Sequence, residues 1–219
     1  FPIKVRDMQA FALLIIDMQK DFCDKGSPLY VNGCEKIIPN IKNLISAFKN
    51  CGAPVIFVAR THKRDGSDLE ITRFPIYLQF RRLYGRGPLE EGTDGVKFVE
   101  ELEPKKGDYI IYKKRWSAFF NTELDLLLRV LSVKKLVLTG VQTPNCIRTT
   151  AYDAIALNYE VIVVSDATQA SNQLVHEINL KDMENIGIGI MDTKSIIKNL
   201  PNLPFKDLLA KLKEYISSS

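Results

Sequence analysis

The chain has 219 residues, 46% hydrophobic and 26% charged, enough to bury the core of one α/β domain. Thirty Lys and Arg against 26 Asp and Glu leave a net charge of +4. No helix-spaced basic stripe and no apolar run of membrane-spanning length is present, which argues against nucleic-acid and membrane partners. In chain order, the hydrophobic pattern predicts a strand over 12–16, a helix over 36–50 and a strand over 54–59. A long irregular insertion follows at about 61–93, then part of a helix over 95–102 and a strand over 109–112. A helix over 121–130, a strand over 135–139, a helix over 146–157 and a strand over 160–164 come next. The pattern closes with a helix over 173–186, a short sixth strand around 188–191, a short helix after Thr193 and a last helix over 205–216, with a frayed tail at 217–219. Alternating β and α predicts a three-layer α-β-α fold, a mostly parallel sheet of about six strands in a single domain.

Three of these strands deliver a chemically useful side chain to their carboxyl ends, where open α/β sheets keep their ligand crevice. Six apolar residues (11–16) run into Asp17. The strand 109–112 runs into Lys113. The strand 135–139 is followed by Gly140-Val141-Gln142-Thr143-Pro144-Asn145-Cys146, so Cys146 is expected on the first turn of a helix, where an anion is stabilised and a thiol pKa falls. Each feature alone is ordinary, because charges often end strands and most cysteines are small core hydrophobes. An acid, an amine and a thiol at three strand ends form a more specific set.

Four segments carry a resemblance to the isochorismatase-like cysteine hydrolases, the superfamily of nicotinamidases and N-carbamoylsarcosine amidases. They are LLIIDMQKDF (13–22), KKRWSAFFNTELDLLL (113–128), GVQTPNCIRTTAYDA (140–154) and, more weakly, YEVIVVSDAT (159–168). The resemblance implies a Rossmann-type topology and a catalytic triad of Asp17, Lys113 and Cys146. Lys113 is chosen over Lys114 because the family lysine stands three residues before an aromatic, here Trp116. It further implies a non-proline cis bond between Val141 and Gln142, with the Gln142 and Cys146 amides forming an oxyanion hole, and a homo-oligomer, dimer or tetramer. In the chemistry these residue types allow, Asp17 takes the thiol proton and Lys113 favours the thiolate. Cys146 then attacks an amide-like carbonyl, and water hydrolyses the acyl-enzyme.

The insertion holds His62, Lys63, Arg64, Asp65, Arg73, Arg81, Arg82, Arg86 and four glycines. A solvated loop and a lid that brings a guanidinium to a substrate carboxylate are weighed evenly. Phe22, Arg60, Arg64, Trp116 and Arg148 are the candidate substrate-binding residues. No metal and no cofactor is expected. Nicotinamidases carry an Asp-x-His with a second His, whereas this chain has Arg60 two residues before His62 and its other histidine is His176, expected on a solvated helix face. Cys23, Cys34, Cys51 and Cys146 match no zinc or CxxC spacing. No charged-then-apolar leader is evident, so a reduced, cytoplasmic protein is expected. Cys51 is read as packing, Cys23 as a loop residue near the site mouth, and Cys34 as a surface-loop or helix-start residue.

The leading functional expectation is a metal-independent amidohydrolase acting on a small linear amide, ureido or carbamoyl compound. A vinyl-ether hydrolase of the isochorismatase type comes second, with nicotinamidase activity weakened by the missing metal ligands. A non-catalytic, redox-responsive protein of the same fold is the reading from a different class.

Overall fold

The computed structural model describes residues 10–218. Six strands form one sheet in the order β3-β2-β1-β4-β5-β6, and every pairing is parallel. They are β1 (Phe11–Ile16), β2 (Val55–Arg60), β3 (Tyr109–Lys113), β4 (Lys135–Val141), β5 (Glu160–Gln169) and β6 (Gly189–Met191). The helices are α1 (Lys20–Cys23), α2 (Cys34–Asn50), α3 (Phe74–Tyr84), α4 (Leu124–Val130), α5 (Arg148–Ala156), α6 (Gln173–Asn185), α7 (Thr193–Asn199) and α8 (Leu208–Ser218).

The central strand shows why the sheet is covered on both faces. All six residues of β1 are buried, and they alternate between two cores. Phe11, Leu13 and Ile15 pack with Ile37, Ile41, Leu44 and Phe48 of α2 and Ile196 of α7. Ala12, Leu14 and Ile16 pack with Leu124 and Leu128 of α4, Ala151 and Ala154 of α5, and Leu180 and Met183 of α6. A continuous apolar run is what a strand buried on both faces requires. Strand order reverses direction between β1 and β4, and ligands of open α/β sheets bind beyond the carboxyl ends at such a point. Asp17 follows β1 directly and Cys146 follows β4 by five residues.

Several boundaries differ from those the pattern predicts, each for a local reason. The insertion is not a plain loop, because α3 forms inside it, with Pro75 in its first turn and Gly85 at φ +70° closing it. The segment after it forms only short 3₁₀ turns at Asp94–Val96 and Glu100–Leu102. Helix α4 begins at Leu124, after Asn121 at φ +51° breaks the run. Strand β5 continues past Ser165 and Asp166 to Gln169, with Thr168 opposite Gly140 after an irregularity in register. Helix α8 takes in Ser217 and Ser218, and Ser219 lies outside the described residues.

The cysteines need a larger correction. Cys23 and Cys34 form a disulfide with Cα atoms 5.2 Å apart, and both are buried. Cys23 ends α1 and Cys34 opens α2, and the chain between them doubles back through a Val31 N–H bond to the Phe22 carbonyl (2.8 Å). Spacing in sequence carried no sign of that return. Cys51 and Cys146 are free thiols. Cys51 donates to the Phe48 carbonyl at the end of α2 (3.2 Å).

Candidate active site

Asp17 leaves β1 with φ +56°, a left-handed conformation that Asp tolerates better than most residues at a cost of about 1–2 kcal/mol. Its amide still donates to the Val58 carbonyl (2.9 Å), so the sheet holds the turn in place. On the other side, Gly140 takes φ +107° beside Ile16, and a side chain there would overlap the Ile16 carbonyl oxygen. Strands β1 and β4 therefore approach closely just before Asp17 and the segment that carries Cys146. Beyond Gly140, the Val141–Gln142 peptide bond is cis. Residues Thr143–Ile147 then form one wide π-helical turn, with the Ile147 amide reaching the Gln142 carbonyl (3.2 Å). Cys146 sits in this turn, two residues before α5, rather than on the regular helix that the pattern predicts. Thr143 Oγ1 shares a hydrogen bond with His176 Nδ1 (2.8 Å), which pins the turn to α6. His176 is thus buried, not solvated, and burial lowers its pKa.

Asp17, Lys113 and Cys146 meet. Lys113 Nζ lies 2.9 Å from Asp17 Oδ2 and donates to Cys146 Sγ (3.3 Å) and to the Arg115 carbonyl (3.1 Å). Asp17 and Lys113 are fully buried, and Cys146 nearly so. Lys114, the competing amine, turns away to Asp68 (2.9 Å). The thiol is not activated at rest. Burial, followed by the negative charge of Asp17, pushes its pKa up to about 11 against the opposing pull of Lys113 and Arg60. Desolvation outweighs the nearby cations, so Cys146 carries its proton at neutral pH.

A cavity of about 80 Å³ opens over the thiol, lined on the sheet side by Phe22, Arg60, Trp116, Gln142, Asn145 and Cys146. The insertion supplies the facing wall, including His62, Arg73, Ile76, Tyr77 and Leu89. That wall is anchored. Fully buried Asp21 accepts from Arg86 Nη1 and Nη2 (2.7 and 2.5 Å) and from the Leu89 amide (2.7 Å). The hydroxyl of Tyr77, almost fully buried, donates to the Arg64 carbonyl (2.9 Å), with the Lys63 carbonyl and Glu90 also within hydrogen-bond distance.

The Isochorismatase domain model matches residues 11–195. The chain belongs to the isochorismatase family. It is 44% identical over 179 residues to a probable inactive nicotinamidase of Arabidopsis thaliana, covering 81% of this chain and 89% of that protein. It is 32% identical over 206 residues to the ureidoacrylate amidohydrolase RutB of Serratia proteamaculans (strain 568), covering 88% and 83%. Among solved structures, an isochorismatase family protein from Desulfovibrio vulgaris subsp. vulgaris str. Hildenborough superposes with a TM-score of 0.81 at 41% identity, covering 88% of this chain and 98% of that one. These relatives place the chain with hydrolases of non-peptide carbon–nitrogen bonds. Among the described residues, no helix is long and apolar enough to cross a membrane.

Within this isochorismatase-family site, the candidate binding residues divide. Phe22, Arg60 and Trp116 line the cavity. Arg64 does not, because its side chain is exposed and faces Glu90 (3.6 Å). Arg148 points away along α5 to Asn179 (3.0 Å) and Asp182 (2.8 Å), stacked over Tyr152. Its position two residues after Cys146 puts it on another side of the helix. The donor set also does not fit a metal ion. His62 Nε2 accepts from Arg60 Nε (2.9 Å), so that lone pair is occupied by a cation. No group of three His, Cys, Asp or Glu among the described residues is arranged to hold a metal. Burial, with the charge of Arg60, pushes the His62 pKa down to about 4 and keeps the ring neutral.

Two residues at the site escaped sequence reasoning. Gln19 is fully buried and clasps the end of β2, accepting from the Arg60 amide (2.8 Å) and donating to the Arg60 and Val96 carbonyls (2.8 and 2.7 Å). A glutamine two residues after Asp17 gave no sign of that reach. Arg73 was one arginine among several, and no spacing distinguished it.

Proposed function

We propose that the chain is a metal-independent cysteine amidohydrolase that cleaves a small linear ureido or carbamoyl compound through an acyl-enzyme on Cys146. The observation that carries this reading is the buried contact of Lys113 Nζ with both Asp17 (2.9 Å) and Cys146 Sγ (3.3 Å). A carboxylate and a thiol that share one ammonium form a proton-transfer pair with its charge already balanced.

The order of events follows from the electrostatics. Cys146 rests as a neutral thiol, its pKa raised to about 11 by burial and by the neighbouring Asp17. When a carbonyl is presented, Sγ attacks its carbon while the thiol proton passes to Asp17. The charge that develops on the carbonyl oxygen is met by backbone amides, for which Gln142 and Cys146 are the candidates. Asp17 then returns the proton to the departing nitrogen, and ammonia or an amine leaves. Water, deprotonated by Asp17, attacks the S-carbamoyl enzyme (a thioester where the substrate is a simple amide), releasing the carbamate or acid, and the proton held on Asp17 restores the thiol. Lys113 keeps its proton throughout and holds the acid and the sulfur in register.

The ureidoacrylate amidohydrolase relative supports the ureido class, and the size of the cavity favours a small molecule over a peptide. Ammonia release from a panel of ureido and carbamoyl compounds tests the proposal, with intact-protein mass reporting any adduct on Cys146. The wild-type protein is expected to turn over at least one member and the Cys146→Ala variant none. Turnover that survives Cys146→Ala would remove the acyl-enzyme. The relative named a probable inactive nicotinamidase favours a second reading, a non-catalytic protein of this fold, and a wild-type chain inert toward the whole panel would select it.

A further inference from the structure

We propose that His176 is a positioning residue for the nucleophile: through the Thr143 hydroxyl, its imidazole fixes the turn that holds Cys146 Sγ against Lys113. The inference rests on the reading of Cys146 as the nucleophile given above. It adds a residue of α6, a helix outside the set of residues that line the cavity.

The argument starts from the turn itself. Thr143–Ile147 is π-helical, a rare geometry that recurs at functional sites. Its own backbone closes it only through the Asn145 and Ile147 amides, which both reach the Gln142 carbonyl (3.0 and 3.2 Å). The remaining ties come from outside. Just past the turn, Thr150 Oγ1 accepts from the Ala118 amide (2.9 Å). At its start, fully buried Thr143 meets His176 Nδ1 (2.8 Å). Helix α6 repeats this hold at three-residue spacing. Asn179 Oδ1 accepts from Arg148 Nη1 (3.0 Å), and Asp182 Oδ2 accepts from the Tyr152 hydroxyl (2.8 Å) and pairs with Arg148 Nη2 (2.8 Å). Residues three apart are neighbours on a helix surface, so one face of α6 clasps residues 143, 148 and 152 in succession. Of the three ties, only that of His176 reaches the turn that carries the sulfur.

The imidazole is suited to this task. Burial lowers its pKa, so the ring is neutral at pH 7, and the Ser165 carbonyl of β5 serves it as a hydrogen-bond acceptor. A neutral ring that donates to Ser165 accepts at its other nitrogen, which makes the Thr143 hydroxyl the donor to Nδ1. The ring is then fixed on the sheet at one nitrogen and on the turn at the other. Thr143 stands between two groups that must be placed together: Gln142, the candidate oxyanion donor, directly precedes it, and Cys146 follows three residues later. A shift of Thr143 moves both of them relative to Lys113 Nζ, which lies 3.3 Å from the sulfur. Displacements of this kind, made at a distance from the reacting atoms, cost rate rather than binding.

The test reads Cys146 directly, by its rate of alkylation with iodoacetamide, with peptide mass mapping to separate it from Cys51. His176→Leu removes the acceptor and is expected to slow alkylation about tenfold, the upper end of what one hydrogen bond supports. His176→Asn, which returns a carboxamide oxygen close to the place of Nδ1, is expected to stay within about threefold of wild type. Thr143→Val is expected to match His176→Leu, and the double variant to be no slower than either, because both changes break the same bond. If circular dichroism shows that His176→Leu does not fold, Thr143→Val against Thr143→Ser carries the same expectation, since serine keeps the hydroxyl. Unchanged or faster alkylation in the folded variants, additive losses, or a His176→Asn protein as slow as His176→Leu would overturn the proposal. Alkylation needs no turnover, so a wild-type chain inert toward every ureido and carbamoyl compound would sink the amidohydrolase reading alone.

Discussion

The two walls of the cavity are built on different principles. On the sheet wall, Asp17, Lys113 and Cys146 stand at the ends of strands whose side chains fill both cores, and their charges cancel locally. The insertion wall is held by polar ties: Asp21 to Arg86 and Leu89, Arg60 to Glu70, and Tyr77 to Glu90. There, the Arg73 guanidinium lines the cavity with no hydrogen-bond or ion-pair partner among the described residues. The contrast suggests a division of labour in which the sheet sets what reaction occurs and the insertion sets which molecule is admitted. Loops carried on a rigid scaffold are the usual site of such selectivity.

The comparison is broken most severely by removing a charge from the sheet wall. Lys113→Ala and Asp17→Asn are each expected to lower kcat by at least ~10³-fold with an unchanged circular dichroism spectrum, as removing one member of a catalytic unit does. Retained turnover in the Lys113 variant would move the role elsewhere. On the insertion wall the same kind of change should act on stability first. Asp21→Asn leaves Arg86 and the Leu89 amide without their anion, at an expected cost of about 2–3 kcal/mol in urea unfolding, less than for a pair with both members buried because Arg86 is partly exposed. An unchanged midpoint would show that the wall does not depend on this tie.

The insertion wall should also respond to acid. His62 is kept neutral with a pKa near 4, whereas in the unfolded chain it titrates near 6.5. The folded state therefore binds fewer protons between those values. Stability is fully present above pH 6.5 and falls as the pH drops toward 4, by up to about 3 kcal/mol from this residue. His62→Gln should flatten that part of the curve, read as urea midpoints at pH 4.5 and 7.5, and an unaltered slope would place the sensitivity elsewhere. The smallest effect is expected at Arg148. It is partnered by Asn179 and Asp182 on the outer side of α5, so Arg148→Ala should change kcat/KM by less than about threefold. A large loss would mean that this side chain swings into the cavity.

What could be read from the sequence follows the same division. The sheet wall was legible because an apolar run that stops at Asp17, and another that stops at Lys113, are local features of the chain. The α-β-α layering was legible for the same reason, since β1 is a continuous hydrophobic stretch and β4 carries the apolar run Leu136-Val137-Leu138. The insertion was not, although α3 carried a proline in its first turn and a glycine at its end. Its charged and aromatic residues are shared between solvent and cavity, so no single apolar face emerges. The disulfide, the burial of His176 and the idle guanidinium of Arg73 each depend on a partner brought near only by folding. Cys34 answers Cys23, Thr143 answers His176, and Arg73 stands out only once Glu70 is seen to be taken.

The alternation of β1 has one more consequence. Phe11, Leu13 and Ile15 belong to one hydrophobic layer and Ala12, Leu14 and Ile16 to the other, so a slip of a single residue against its neighbours would exchange the two sets and turn Asp17 to the opposite side of the sheet. Misalignment of the acid is thereby coupled to wholesale mispacking of the interior. A well-folded molecule with Asp17 out of place is disfavoured by the same side chains that fill the two cores.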